Sequence, residues 1–554
     1  MLTRKVAPTI WLAAGYCLAF AYYLSYAQAY PLDFGDEGYL YTIASAIAQG
    51  SRPYRDIELY SYMPGLFYFL SLFAASPSEL FMASRSVMAA LLAVNACLMY
   101  WVASAGGKRT PVLAALAVTA VLCLTPGIWH KAYQTTLWLL LLGCAQRYHA
   151  TRRTGWIAAL GAVSALGLYF RFEVAAAGAA MIILLLSLDR FAHGAPGPKL
   201  IRAAGITLLA FACALLPLLA LLAADGILGD YLNQLLDIPR RIATRVAAPY
   251  RLEAPGLGEL GRPWNGGADA WLYWGSFLVP GLLLVHTALL ARRSRQMGAW
   301  HDDLGPALIL LLWLALNLPQ YAWERPDPPH LAERLFALLA SVPLIIGAYS
   351  RRATGRPASA PAGSPASMSA RAPALLLAAY FSIYAGVHML RHDAGAYSVA
   401  PLRATLANGL TIGLAQPVQP MLDHLIEHTR PGEAIAVLPF LPGFHFATSR
   451  PFLARRVYLF PFNSGEMAEA EYICALERQG TRYVIYDEGA TLDGNPQSRL
   501  ANYAPRVHGH LMAHFGTEMQ VGGWALLRRT RHASAQDLPS RCRVDDASAP
   551  GPRR

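Results

Sequence analysis

The strongest constraint on this chain is a series of apolar blocks separated by short basic clusters. Blocks at residues 8–28, 79–104, 110–127, 133–148, 155–170, 173–189, 203–224, 271–291, 304–322, 331–349 and 373–391 approach the roughly 20 residues a helix needs to cross a bilayer. The clusters Lys108-Arg109, Arg147 with Arg152 and Arg153, Arg190 with Lys199 and Arg202, Arg292 with Arg293 and Arg295, and Arg351 with Arg352 and Arg356 occupy every second connection. The positive-inside bias produces that alternation when the N-terminus is cytoplasmic. The pattern predicts a polytopic α-helical membrane protein of about 11 transmembrane helices. Counting the short stretch Pro64 to Ala75 as a further span would invert every later connection. It is also short for a crossing, so it is read as an interfacial or re-entrant helix on the outer side.

Composition supports this class. Charged residues make up 14% of the chain and hydrophobic ones 55%, whereas an average soluble domain is roughly a quarter charged. The net charge of +12 is a poor argument for nucleic-acid binding, because the basic residues lie between apolar blocks. The first apolar stretch, Ile10 to Ala27, exceeds the ~7–15 residues of a signal-peptide core and reads as an uncleaved span. Cys17, Cys97, Cys123, Cys144 and Cys213 fall in apolar segments as small packing residues. Cys474 and Cys542 lie in the polar C-terminal region, and one pair is no disulfide framework.

With this orientation the outer side receives residues 29–78, the turns at Trp129-His130-Lys131 and Arg171-Phe172-Glu173, the loop 225–270, the turn from Trp323 to Arg334, and everything after about residue 393. The membrane part spans 1–392, with a Pro/Ala/Ser/Gly-rich cytoplasmic linker at 353–371. Residues 393–531 read as a small external α/β domain, and the polar tail 532–554 as disordered. In that domain Ala434 to Leu438 and Tyr483 to Tyr486 are β-type runs, flanked by amphipathic helices at Met421 to Thr429 and Glu469 to Gln479.

The first outer segment opens with Leu32-Asp33-Phe34-Gly35-Asp36-Glu37-Gly38-Tyr39. Asp36 is suited to cap a helix from Glu37 to Gln49 that Gly50 ends. A carboxylate held at a helix N-terminus beside a bilayer also suits proton removal from a hydroxyl, so capping and chemistry are compatible. Arg55-Asp56 follows within Pro53-Tyr54-Arg55-Asp56-Ile57-Glu58, readable as a local ion pair or as substrate contacts. Arg171 and Glu173 form either a mutual pair that tolerates the turn or a cation site for a phosphate. Arg325-Pro326-Asp327-Pro328-Pro329-His330 is a rigid turn whose guanidinium suits a phosphate. Arg240, Arg241, Arg245 and Arg251, with Tyr231, Tyr250 and Trp264, make a basic aromatic loop that is a solvated face or a guide for an anionic lipid. His424-Leu425-Ile426-Glu427-His428 matches an inverted zinc-protease pattern, but its helix is short and lacks a protease domain around it. No phosphate-binding glycine loop, nucleophile elbow or CxxC pair is present.

The acidic-Gly-Tyr motif after the first span, the Pro53-Tyr54-Arg55-Asp56 turn and the Pro64-Gly65-Leu66-Phe67-Tyr68 helix together resemble the first external loop of GT-C glycosyltransferases. The likeness is to the family-39-like group, which includes protein O-mannosyltransferases and aminoarabinose transferases. It covers residues 29 to about 85, with Ser84-Arg85 fitting too, and the membrane architecture extends it to about residue 392. Met63-Pro64-Gly65 departs from the paired prolines of many relatives. The resemblance implies a polyprenyl-phosphate-linked sugar donor, a lipid, glycan or protein hydroxyl as acceptor, and inversion at the sugar. It implies Asp36 as general base with Glu37 orienting, and Arg55, Asp56, Arg171, Glu173, Arg325, Asp327 and His330 as substrate contacts. The resemblance leaves room for a divalent cation, which some relatives bind near the acidic loop, but no ligand set stands out here and no other cofactor is implied. The location implied is a bacterial inner membrane, with the C-terminal domain periplasmic. The rival class is a transporter or lipid-linked sugar flippase. It lacks support from internal repeats or mid-span acids in this chain.

Overall fold

The computed structural model describes residues 3–59, 62–103, 129–246, 254–261, 264–298, 300, 303–319, 322, 333–341, 344–345, 402–405, 411–414, 417–461, 463–492, 495–534 and 536–543. The expected spans at 110–127 and 373–391, parts of the span at 331–349, the linker 353–371 and residues 544–554 lie outside the described residues. The other apolar blocks all fold as helices: Thr3–Ala29, Pro77–Ala103, Ala132–Thr151, Thr154–Phe170, Phe172–Phe191, Gly197–Ala224, Trp264–Met297 and Leu304–Asn317. Among the described residues, four segments are long and apolar enough to cross a membrane, namely Pro77–Ala103, Phe172–Phe191, Gly197–Ala224 and Leu272–Met297. Thr154–Phe170 and Leu304–Asn317 are apolar but shorter.

The chain divides into two compact units that do not follow sequence order. One comprises residues 1–28, 85–220 and 253–398; the other comprises 29–84, 221–252 and 399–554. The first expected external loop is thus grouped with the C-terminal segment.

In the first unit, small residues let helices approach. A Cβ at Gly178 would lie 1.9 Å from Ser164 Oγ, and one at Gly161 2.5 Å from the Thr207 carbonyl oxygen. Such approach matters most in lipid, where dispersion rather than water exclusion joins helices. Around these contacts lies a core that includes Trp138, Leu142, Met181, Trp313 and Phe336. Trp313 Nε1 donates to the Trp138 carbonyl at 2.9 Å, which satisfies the one polar atom of a fully buried ring. Arg85 is buried and donates to the Ala27 carbonyl.

Among the described residues the second unit carries two sheets. β1 (Leu402–Thr405) and β2 (Thr411–Leu414) pair antiparallel. β3 (Ala436–Leu438), β4 (Tyr483–Tyr486), β5 (Phe515–Val521) and β6 (Trp524–Arg529) form a mixed sheet in the order β3-β4-β6-β5. β3 and β4 are parallel, and the rest antiparallel. The two expected helices run Gln419–His428 and Glu466–Arg478. Apolar residues on one face of the second, Tyr472, Ile473 and Leu476, pack against Val484, Leu511 and Leu527 in one core. The tail does not leave the domain at residue 532, because Cys542 is bonded to Cys474 with Cα atoms 5.3 Å apart.

Glu477 ties this unit together. Arg529 Nη1 lies 2.6 Å and His510 Nε2 2.9 Å from its Oε1. Burial pushes the Glu477 carboxyl up, but hydrogen bonds and charge from Arg529 and His510 outweigh it and hold the group below its ordinary range. A depressed folded pKa contributes stability that is present above the unfolded value and lost as pH falls through the folded one. The melting temperature should therefore drop on acidification below the ordinary carboxylate range. Glu477→Gln should melt lower at neutral pH and show a flatter acid limb. Superimposable Tm–pH curves for the two proteins would contradict this.

Candidate active site

The acidic motif is built from a turn that Asp33 organises. Asp33 Oδ1 accepts the Gly35 N–H at 2.8 Å, and its Oδ2 accepts the Asp36 N–H at 3.1 Å. The helix runs Asp36–Ala48, with Gly35 at the cap position and no side-chain cap bond there. The sequence expectation that Asp36 itself caps the helix is corrected: the carboxylate three residues earlier takes the amide protons. Asp36 becomes the first helical residue and is exposed. Glu37 does the opposite. It is 1% exposed, accepts the Tyr41 hydroxyl at its Oε1, and accepts the Asp33 N–H at its Oε2 at 3.3 Å. One carboxylate faces outward from a rigid helix start, and its neighbour locks that start. Gly50, at φ +96°, ends the helix in a backbone region that favours glycine.

The C-terminal segment braces the same turn. The Gly443 N–H donates to the Phe34 carbonyl at 2.8 Å, and Thr42 Oγ1 donates to the Pro442 carbonyl at 2.8 Å. A Cβ at Gly38 would lie 2.3 Å from Gly443 Cα, and one at Gly443 2.8 Å from Phe34 Cα. Two backbones meet there with room only for hydrogen. Phe34, Phe444 and Trp524 pack ring against ring beside this contact, with centroids 4.5–5.6 Å apart.

Arg55 and Asp56 do not pair with each other. Arg55 donates Nη2 to Asp230 Oδ2 at 2.8 Å and to the Gly226 carbonyl at 2.6 Å. Asp56 instead accepts the Arg52 N–H at 2.8 Å and its Nε–H at 3.2 Å. Tyr68 reinforces the Arg55 link by donating to Asp225; burial and that carboxylate hold its phenol well above the ordinary range. Arg55 and Tyr68 therefore clamp the start of helix Leu228–Val246, part of what the sequence suggests is a loop.

In the other unit, Arg171 has extended backbone (φ −153°, ψ 108°) and joins helices Thr154–Phe170 and Phe172–Phe191. Its Nε donates to Glu173 Oε1 at 2.6 Å. Glu173 also feels the charge of Arg334, and Tyr133 feels those of Arg171, Lys131 and Glu173. Lys131 Nζ lies 3.1 Å from Glu333 Oε1, each side chain 7% exposed. Three expected outer turns thus bring Lys131, Arg171, Glu173, Glu333 and Arg334 into one charged cluster. Lys131, Glu333 and Arg334 are members that sequence reading did not single out. Arg325, Asp327 and His330 lie outside the described residues, as do Tyr250 and Arg251.

The His424 and His428 rings stack with centroids 4.1 Å apart, and His424 Nε2 lies 3.3 Å from Glu518 Oε1. Among the described residues no group of three or more His, Cys, Asp or Glu is disposed to hold a metal ion.

No family model and no curated protein matches the chain by sequence. Solved structures that match its fold include ArnT from Cupriavidus metallidurans bound to undecaprenyl phosphate and the same protein in the apo state. Each has a TM-score of 0.52 and 13% identity, and the match covers 96% of this chain and 99% of that chain. Over nearly its whole length the chain therefore has the fold of the aminoarabinose transferase ArnT, a fold of GT-C type.

Proposed function

We propose that the protein is a membrane glycosyltransferase that moves a sugar from a polyprenyl-phosphate-linked donor to an acceptor hydroxyl with inversion. The observation that carries this reading is the exposed Asp36 at a braced helix start in a chain with the ArnT fold. One of the ArnT structures holds undecaprenyl phosphate, the leaving group that such a donor releases.

In the reaction Asp36 accepts the acceptor's hydroxyl proton while that oxygen attacks the anomeric carbon. The bond from that carbon to the phosphate oxygen breaks, and the electron pair leaves with the lipid phosphate. A general base in this role contributes about 10²–10⁴-fold. Glu37, buried and engaged by Tyr41 and the Asp33 amide, holds the helix start. The leaving phosphate gains charge that fixed cations stabilise. Arg171, Arg325 and His330 are assigned to that charge, as the resemblance implies, and Asp327 keeps its proposed role as a donor contact. Arg55, Asp56 and Glu173 are assigned to support, through the contacts that hold the first loop and the Arg171 turn.

We assign the second unit's C-terminal segment to the periplasm of a bacterial inner membrane. The Cys474–Cys542 disulfide suits an oxidising compartment, and the alternating basic connections suit a cytoplasmic N-terminus. Alkaline phosphatase fused after residue 530 should be active; activity only from a cytoplasmic reporter fused there would overturn the sidedness.

Donor binding is tested with undecaprenyl phosphate and the purified protein in nanodiscs. The lipid phosphate should bind, and Arg171→Lys, which keeps charge but loses the planar fork, should weaken binding by about tenfold, or 1.4 kcal/mol. Equal affinity in both proteins would remove Arg171 from the donor site.

A further inference from the structure

Helix Leu228–Val246 carries more apolar surface than its own packing uses. One face is sealed. Tyr231, Gln234 and Ile238 are buried there, and the Tyr231 ring lies 6.0 Å from that of Tyr54. The opposite face carries Leu232 and Leu236, which are 46% and 80% exposed. A helix on the surface of a water-soluble domain needs one apolar stripe and turns polar residues outward. This helix has a second stripe centred on leucine, and Arg240 continues the same i, i+4 row.

The place of the helix in the chain says what meets that stripe. It follows Gly197–Ala224, a helix long and apolar enough to cross a membrane, after only Asp225, Gly226 and Ile227. Three residues reach at most about 10 Å, so the helix begins where that span leaves the bilayer. Gly226, at φ +67°, turns the chain in a backbone region that favours glycine. The contacts from Arg55 and Tyr68 to Asp225, Gly226 and Asp230 fix the turn. Apolar residues beside this clamp face outward as well: Leu221 in the last turn of the span, Phe69 next to Tyr68, and Leu72, which is 76% exposed. Exposed apolar residues grouped in this way mark a membrane or protein contact, and the adjoining span selects the membrane.

The row also suits a phospholipid surface in its chemistry. An interfacial helix buries its apolar face about 5–10 Å into the boundary between headgroups and acyl chains. An arginine one turn beyond such leucines can keep its charge in the polar layer on a long apolar stem, where a guanidinium pairs with phosphate oxygens. We propose that helix Leu228–Val246 lies on the bilayer surface and docks anionic phospholipid, with Leu232 and Leu236 among the acyl chains and Arg240 on a lipid phosphate. Arg245 falls on the opposite side of the helix by register and takes no part in this contact. The proposal chooses between the two meanings the sequence leaves open for this basic stretch, and it does not depend on the glycosyltransferase reading.

The test places the photocrosslinker benzoylphenylalanine at position 236 of the full chain, in nanodiscs of equimolar phosphatidylglycerol and phosphatidylcholine. Irradiation should join position 236 to lipid acyl chains. Phosphatidylglycerol adducts should exceed phosphatidylcholine adducts about fivefold, the preference expected of one arginine at an anionic surface. Arg240→Gln should bring that ratio close to unity without changing the melting temperature, and Arg245→Gln should change it less. Crosslinks from position 236 to the chain itself or to a second copy, in place of lipid, would overturn the proposal. So would an unchanged ratio in folded Arg240→Gln, or an Arg245→Gln effect as large as that of Arg240→Gln.

Discussion

Asp36→Asn should lower sugar transfer by about 10²–10⁴-fold, the contribution expected of a general base, without changing the melting temperature. Asn preserves the size of the exposed side chain and cannot accept the proton. The helix start survives because the Asp36 amide is held by Asp33 and not by its own side chain. Glu37→Gln should be milder in transfer and harsher in stability, since a buried acceptor of the Tyr41 hydroxyl and the Asp33 N–H is altered. Quantifying product from purified variants with labelled lipid-linked sugar, alongside thermal unfolding, separates the two. Wild-type turnover by Asp36→Asn would remove it as the base.

Gly38→Ala should strongly disrupt the acidic helix start. Its Cβ would meet Gly443 Cα at 2.3 Å and Gly443 N at 2.6 Å. Neither is a side-chain tip that can swing away, so the two backbones must part. Overpacking of this kind costs about 1–3 kcal/mol. The parting also moves the turn that carries Asp36, because the same contact includes the Gly443 to Phe34 hydrogen bond. The expected result is a lower melting temperature together with a fall in kcat larger than that in Asp33→Asn, which retains an acceptor for the amides. Gly443→Ala should behave alike, as its Cβ meets Phe34 Cα at 2.8 Å. A Gly38→Ala protein with unchanged Tm and turnover would contradict the bracing.

The helices were legible because hydropathy is a local property. The blocks at 203–224 and 173–189 fold as Gly197–Ala224 and Phe172–Phe191, within a turn or two of where the apolar residues begin and end. β3 and β4 were legible for the same reason, as short runs of β-branched and aromatic residues. The β5–β6 hairpin carried a local signal too: Gly522-Gly523 separates Val521 from Trp524, the two-residue turn expected between paired strands. Alternation in β5 is weak because most of its residues are exposed or half-buried, which hid the strand. Helix Leu228–Val246 was masked by its charges, since its arginines and aspartates lower the mean hydropathy of an amphipathic segment.

The site was legible only where its chemistry is contiguous. Asp36 and Glu37 stood out as neighbours, yet their opposite exposures follow from the fold around them. Lys131 and Glu333 are 202 residues apart, and Arg55 and Asp230 are 175 apart; no spacing rule links such partners. The meeting of Gly38 with Gly443 was equally hidden, because a glycine chosen for close approach looks like any other glycine in the sequence.

The central claim is bond transfer from a lipid-phosphate sugar, and proteoliposomes loaded with a doubly labelled donor test it directly. With undecaprenyl phosphate carrying one label and its sugar the other, the wild type should release undecaprenyl phosphate one-for-one with glycosylated acceptor of inverted configuration, and Asp36→Asn should release almost none. Movement of the intact, still-joined donor across the bilayer, with no release of lipid phosphate and no dependence on Asp36, would contradict the account and identify the protein as a carrier of the donor.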